Sequence, residues 1–296
     1  MRNTCAIGCR VLKFGGTSVG SVEMLQQVRR ILAERYQQGP LVVVVSAVRG
    51  VTDFLLHGRD ASREYICERM VAFHRPLVEG LLQPEGQMRW QAIEEKHVQR
   101  LWEWYPLRYE EEATWITQGE CWSADLVALL LQEAGYPAVS VDAAACIQAV
   151  GYPGKVEEVL TYERIRSWYA SWSAERVPVV TGFRAGTPEG RITTLGRGGS
   201  DYTAALFAAA LQAEVLERWT DVDGVYERDP RQDKEAQRFA YLSLEEACRW
   251  NEEGLLGMHP RMFRPLLEAG IPVHIRCTRL PEAPGTVILP QLHQTA

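Results

Sequence analysis

The chain has 296 residues, 46% of them hydrophobic, and a formal net charge of −6. It is long enough to bury one large α/β core or two smaller ones, and without any basic run it has no electrostatic basis for nucleic-acid or membrane-surface binding. No apolar run approaches the length of a membrane span and the N-terminus lacks the apolar core of a signal peptide, so a cytoplasmic protein is expected. The seven cysteines are scattered, with only Cys5 and Cys9 close together and no second Cys/His pair at metal spacing. Reduced structural thiols are expected rather than zinc or disulfides. Of 32 basic residues only four are lysine (Lys13, Lys96, Lys155, Lys234). A lysine at a motif position is therefore informative: it is a compact, mobile point charge suited to following a transferring phosphoryl group.

Taken in order, Arg10 to Lys13 reads as a short strand, followed by Phe14-Gly15-Gly16-Thr17-Ser18 and an amphipathic run from Val22 to Tyr36. Strand, glycine turn and helix form a phosphate-cradle arrangement, although without the Walker or the full dinucleotide spacing. Leu41 to Val45 is a continuous apolar run, the mark of a strand buried on both faces of a parallel sheet, and it ends in a small-polar loop from Ser46 to Thr52. From Asp53 to about Leu107 the pattern is helical, and His57, His74 and His97 within it read as surface or packing residues rather than ligands. Glu110 to Gly135 reads as one or two helices, with Glu120 beside Gly119 at a helix start from which it either faces inward or lies exposed. Val139–Asp142 and Ala149–Tyr152 are weaker strand candidates; Val177–Thr181 is another buried strand, leading into a Gly/Pro-rich hairpin or lid, Gly182 to Gly190.

Thr193 to Arg231 carries the densest chemistry. In Gly196-Arg197-Gly198-Gly199-Ser200-Asp201 three glycines permit positive φ and close approach to a ligand, and the Ala/Leu-rich run after Asp201 reads as a helix with Ser200 as its N-cap. Such a helix start, together with Arg197, suits a phosphate or carboxylate. Val215 to Trp219 reads as a strand ending in Thr220-Asp221-Val222-Asp223-Gly224-Val225-Tyr226, then Asp229-Pro230-Arg231; open α/β sheets bind nucleotides at such strand ends. Leu244–Asn251 and Met262–Ala269 read as helices, Ile271–Cys277 as a last strand, and Pro281–Ile288 closes the domain.

These motifs, KFGGTS at Lys13–Ser18, VVVSAVRGVTD at Val43–Asp53, TQGE at Thr117–Glu120, TGF at Thr181–Phe183, TTLGRGGSDY at Thr193–Tyr202, WTDVDGVYERDPR at Trp219–Arg231, and GIPVHIR with PEAPGT near the end, resemble those of aspartokinase, within the amino-acid kinase superfamily. The resemblance implies a three-layer α/β/α sandwich with a mostly parallel central sheet. It also implies one amino-acid kinase domain, with an amino-acid-binding lobe over about residues 1–190 and a nucleotide-binding lobe over about 191–296. The implied reaction is transfer of the ATP γ-phosphoryl group, with Mg²⁺, to the side-chain carboxylate of L-aspartate. By carry-over, Lys13, Gly15 and Gly16 hold the transferring group. Ser46, Thr52, Glu120, Arg197 and Ser200 grip the amino acid, with Glu120 on its ammonium and Arg197 on its α-carboxylate. Thr220, Asp221, Tyr226 and Arg231 face the nucleotide, and Asp201 has an organising role as partner of Lys13. No metal ligand is assigned.

Two departures stand out. Where the family reads F-G-A-K-V-L-H-P, this chain has Glu253-Gly254-Leu255-Leu256-Gly257-Met258-His259-Pro260, with Leu256 in place of a nucleotide-contacting lysine. The sequence given stops at Ala296, with no ACT regulatory domain in view, so no response to lysine or threonine is expected without a separate regulatory subunit; a homodimer is expected. Alternatives are a kinase for a different amino acid or carboxylate, or a non-catalytic regulatory partner binding nucleotide or amino acid.

Overall fold

A computed structural model describes residues 8–103, 111–172, 175–228, 233 and 235–291. Its centre is an eight-stranded sheet of order β10-β12-β11-β9-β1-β2-β6-β3. The inner strands are the expected apolar runs: β1 (Arg10–Phe14), β2 (Leu41–Val45), β6 (Val177–Thr181), β9 (Val215–Thr220) and β11 (Val273–Cys277), flanked by β3 (Ala138–Val141), and all six are mutually parallel. Only the far edge reverses, where β12 (Thr286–Leu289) runs antiparallel to β11 and β10 (Tyr241–Ser243) pairs with it. A mostly parallel sheet must be covered on both faces, because its strands are apolar on both.

Strand alternation divides the core accordingly. Leu12, Phe14, Val43 and Val45 face one layer, built from α1 (Val22–Tyr36) and α6 (Gln118–Glu133) with the outer helices α3 (Arg63–Leu81) and α4 (Pro84–Glu103). Val11, Val42, Val44 and Leu216 face the other, built from α7 (Glu158–Ala170), α8 (Gly199–Leu211) and α10 (Phe263–Ala269). Every residue of α8 is buried, as expected of an Ala/Leu helix that is apolar all round. Two short helices, α2 (Val51–His57) and α5 (Glu112–Ile116), pack on each other near the loop after β2, and α9 (Leu244–Glu252) follows β10 with a Ser243/Glu246 capping box.

The segment after β6 is a hairpin, β7 (Arg184–Gly186) against β8 (Ile192–Thr194), with Ala185 fully buried. A second small hairpin joins β4 (Ala149–Val150) to β5 (Lys155–Val156). The chain leaves β1 for β2 on one side, while β9 returns on the other. The carboxyl ends of β1, β2 and β9 thus meet at a switch point, the place where open α/β sheets bind ligands.

Candidate active site

Lys13 is the fourth residue of β1 and points to the α8 side of the sheet, where its Nζ lies 2.8 Å from Asp201 Oδ1 in the first turn of α8. In the parallel register Lys13 pairs with Arg218 on β9, which puts both side chains on one face. Arg218 Nε lies 3.3 Å from each Asp201 oxygen. Sequence reasoning missed Arg218, since nothing local to β9 signals which carboxylate lies across from it. Burial alone would raise the pKa of Asp201, but Arg218 and Lys13 outweigh it and hold the carboxyl at about 2. The Lys13 ammonium is shifted down from its ordinary value, by burial first, with Asp201 pulling the other way and Arg218 adding to the depression.

Next to this triad is a cavity of about 520 Å³ whose lining includes Lys13, Ser46, Thr52, Glu120, Arg197 and Ser200. The structure therefore gathers all the residues assigned to the amino acid. Glu120 is turned inward because Gly119 lets α6 close on the loop after β2: a Cβ at Gly119 would lie 2.6 Å from the Ala47 methyl and 2.7 Å from Val51 Cγ1. Glu120 is only 3% exposed, and burial pushes its carboxyl up to about 8, against hydrogen bonds from the backbone N–H groups of Glu120 and Ala47 and the more distant charge of Arg184. Its Oε2 is buried without a hydrogen-bond partner. The exposed reading of Glu120 is thus excluded. Arg184 itself is committed to Asp142 and to the Thr117 hydroxyl behind the site. Arg197 lies exposed on the rim, between Gly196 and Gly198 at φ of 82° and 77°.

The helix start differs from expectation. Gly198, left-handed, is the N-cap of α8, and no side chain caps the helix; Ser200 lies inside the first turn. Its side chain instead faces Gly182, where a Cβ would come within 2.4 Å of Ser200 Oγ. Packing against the bend after β6 fixes Ser200, and the glycine turn takes the positive φ that a serine cap would not. Beneath the turn His259 stacks on Tyr202 at 5.2 Å, accepts the Arg261 N–H at Nδ1 and so donates from Nε2 to the Leu195 carbonyl. Gly16 is equally constrained, since a Cβ there would sit 2.7 Å from the Ala47 carbonyl oxygen; Gly15 donates its N–H to the Trp219 carbonyl.

A second cleft of about 400 Å³ opens on the far side of Arg218, lined in part by Val222, Gly224, Tyr226, Leu255 and Leu256. The Tyr226 hydroxyl donates to Asp223 Oδ1 at 2.9 Å. Thr220 donates to Asp221 Oδ1 at the end of β9, and neither is among the residues lining either cavity. Arg231 lies outside the described residues. Among the described residues no three His, Cys, Asp or Glu side chains converge to hold a metal, and no helix is long and apolar enough to cross a membrane.

The sequence and the fold both have clear relatives. The family model for the amino acid kinase family matches residues 8–277. A bifunctional aspartokinase/homoserine dehydrogenase of Zea mays is 31% identical over 95% of this chain and 32% of its own length. The aspartokinase of Bacillus sp. strain MGA3 is 32% identical over 95% of this chain and 58% of its own. Aspartokinase III of E. coli, solved in complex with aspartate and ADP, superposes with a TM-score of 0.86 at 27% identity, covering 97% of this chain and 65% of that one. The chain thus spans 32 to 65% of the length of these relatives. With a match over nearly its whole length, a mostly parallel sheet between two helical layers and its glycine turns at the strand ends, the chain belongs to the amino acid kinase family.

Proposed function

We propose that this chain transfers the γ-phosphoryl group of ATP to the side-chain carboxylate of L-aspartate, giving 4-phospho-L-aspartate at the entry to lysine, methionine and threonine synthesis. The observation that carries the reading is the placement of the Lys13–Asp201–Arg218 triad between two cavities. The larger holds one buried carboxyl, Glu120, with the exposed guanidinium groups of Arg197 and Arg49 on its lining, the complement of an amino acid's ammonium and carboxylate. The smaller, at the end of β9, offers an aromatic residue and apolar walls to a nucleotide. The similarity to an aspartokinase bound to aspartate and ADP supports the same assignment. On this reading the chain up to about residue 190 supplies most of the amino-acid side and the remainder most of the nucleotide side.

The chemistry follows from charge. An oxygen of the substrate side-chain carboxylate attacks the γ-phosphorus, an O–P bond forms, the bond to the β-γ bridging oxygen breaks, and ADP leaves. Phosphoryl transfer is mostly positioning and neutralisation, and the nucleophile is already an anion, so no general base is needed. Lys13 donates to the transferring group, and Asp201 holds the ammonium in place. The glycine turns bring backbone N–H groups close, because Gly16 and Gly198 tolerate what a Cβ would not. Asp201 is already engaged by two cations, so Mg²⁺ fits here as an ion carried on the nucleotide phosphates, where it would offset their charge. A homodimer in the cytoplasm, open to control by a separate subunit, completes the reading and is checked by sedimentation of the purified protein.

ATP turnover measured across the common amino acids, with hydroxylamine present to trap an acyl phosphate, tests the proposal. Hydroxamate formation with aspartate above all others is expected. Turnover with another carboxylate would move the substrate assignment, and no turnover or nucleotide binding with any would end it.

A further inference from the structure

The smaller cleft has a charge problem. A nucleoside triphosphate brings several negative charges to walls that are largely apolar, and Leu256, at the position where the family pattern carries lysine, packs partly buried against the core instead of offering a charge. Two guanidinium groups line this cleft. Arg228 is largely exposed and committed to Glu227 and Asp233. Arg218 is different, with its side chain only 15% exposed and held at the border between the two cavities. In the sheet register it sits between Lys13 on β1 and Ile275 on β11, and Ile275 lines the same cleft.

Its bonds are also loose. The two contacts from Nε to Asp201 are 3.3 Å long, and Nη2 reaches the Gly257 carbonyl at 3.4 Å, whereas Lys13 reaches the same carboxylate at 2.8 Å. Charge-assisted N–H···O bonds are normally about 2.7–2.9 Å. Asp201 is therefore held tightly by one cation and loosely by another, and the loose one is a planar fork suited to phosphate oxygens. Gly257, which it touches, belongs to the loop that carries Leu256.

We propose that Arg218 is the phosphate-binding cation of this cleft, replacing its long contacts with Asp201 and Gly257 by bonds to the nucleotide's phosphate oxygens, and so supplying the charge that Leu256 lacks. This rests on the reading that ATP fills the cleft beside β9. On binding, Lys13 keeps Asp201, and the two cations divide the work: the ammonium follows the transferring group, and the guanidinium anchors the phosphates behind it. The loss of one cation and the presence of the other are then a single relocation of charge across the cleft.

The test is a cycle of Arg218→Met, Leu256→Lys and the double variant, with Kd for ATP and ADP from titration calorimetry and KM for ATP and aspartate from initial rates. Arg218→Met is expected to weaken ATP binding about tenfold, the worth of a partly screened charge-assisted bond, with the aspartate KM nearly unchanged. Leu256→Lys alone is expected to change ATP affinity little, because the charge is already present, but in the Arg218→Met background it restores most of the lost affinity. A drop in kcat with nucleotide Kd unchanged would show that Arg218 only holds Asp201. Tightening by Leu256→Lys in the otherwise wild-type chain, with no rescue in the double variant, would overturn the assignment as well. If Arg218→Met does not fold, Arg218→Lys and Arg218→Gln give the same reading through the affinity order Arg, Lys, Gln. Failure of the unaltered protein to bind either nucleotide would instead remove the function reading itself.

Discussion

Glu120 makes amino-acid binding depend on pH in a defined direction. Its carboxyl is pushed up to about 8 by burial, with one oxygen unpartnered, so in the free protein at neutral pH it is mostly protonated. An ammonium group entering the cavity binds the carboxylate, not the acid. Binding therefore expels a proton, and affinity rises with pH until the group is ionised without help. With a pKa near 8, the ionised fraction is about 0.09 at pH 7 and about 0.76 at pH 8.5, so KM for the amino acid should fall about eightfold over that interval. At pH 7 the cost of ionising Glu120 is about 1.4 kcal/mol. The assay is KM for aspartate at saturating ATP across pH 6.5–8.5, paired with calorimetry in buffers of different ionisation enthalpy to count the proton released. Glu120→Gln should bind more weakly and show no such slope. A KM that stays flat for the unaltered protein, with no proton released, would mean that Glu120 is already ionised or does not meet the ammonium.

Four further outcomes are expected. Lys13→Met should lower kcat by two orders of magnitude or more, at about 3 kcal/mol for loss of a transition-state donor; retention of half the original kcat would take Lys13 out of the mechanism. Arg197→Ala, on the exposed rim, should raise KM for the amino acid about tenfold while leaving Tm and the KM for ATP unchanged, and equal effects on both substrates would place it in the wrong cavity. Gly16→Ala puts a methyl 2.7 Å from the Ala47 carbonyl oxygen, a backbone atom that cannot step aside, so a loss of about 1–3 kcal/mol in stability and a larger loss of activity should appear together in urea melts and rates. His74 is wholly buried against Trp122, and burial first, then His97, depresses its pKa to about 4. Between pH 6.5 and 4 the unfolded chain binds the extra proton, so its contribution to stability is present above 6.5 and is lost on acidification, by up to about 3 kcal/mol. His74→Leu should flatten the dependence of urea-unfolding free energy on pH between 7 and 5, and parallel slopes for the two proteins would refute this.

What could be read from the sequence follows from what is local. The runs Leu41–Val45 and Val177–Thr181 are apolar at every position, and both are strands with those boundaries, because a strand covered on both faces announces itself without reference to its neighbours. The helix Val22–Tyr36 is equally plain from its period, and the structure adds Ser21 as its cap. β10 was not legible: three residues at the sheet edge make no pattern. Propensity alone puts the cap at Ser200, and the left-handed Gly198 overrides it because the turn must pass close to His259 while Ser200 packs on Gly182. Glu120 left its orientation open, since the approach of α6 to Ala47 and Val51 is a tertiary fact. Arg218 carried no signal of its own, for two adjacent charges in Val215–Thr220 break the alternation of the strand without saying which carboxylate Arg218 meets.

The adjacent pair Glu217 and Arg218 shows how a central strand tolerates charge. Glu217 and Arg218 are adjacent on β9 and so point to opposite faces of the sheet. Glu217, 2% exposed, is met by Arg35 from α1 at 2.8 Å and by the Trp219 indole N–H at 3.0 Å, with the Arg35 and Arg276 guanidinium groups within cation–π distance of the Trp219 ring. Arg10 adds a longer contact to the same carboxylate at 3.6 Å, so on that face Glu217 is shared by cations from β1 and α1. On the other face Arg218 and Lys13 share one carboxylate, leaving an excess of positive charge in a site that opens onto two cavities. A buried charge without a full partner is costly, and removing one member of a buried pair costs about 3–5 kcal/mol. The two faces should then respond differently to the same loss. Arg35→Met strips Glu217 of its closest cation and leaves it only the longer contact from Arg10 at 3.6 Å, whereas Arg218→Met leaves Asp201 with Lys13 at 2.8 Å. The first should lower stability far more than the second, and the second should lower nucleotide affinity far more than the first. Urea melts beside nucleotide titrations on the two variants separate these outcomes, and equal losses in both measurements would show that the excess charge on the Lys13 side belongs to the fold and not to the ligand.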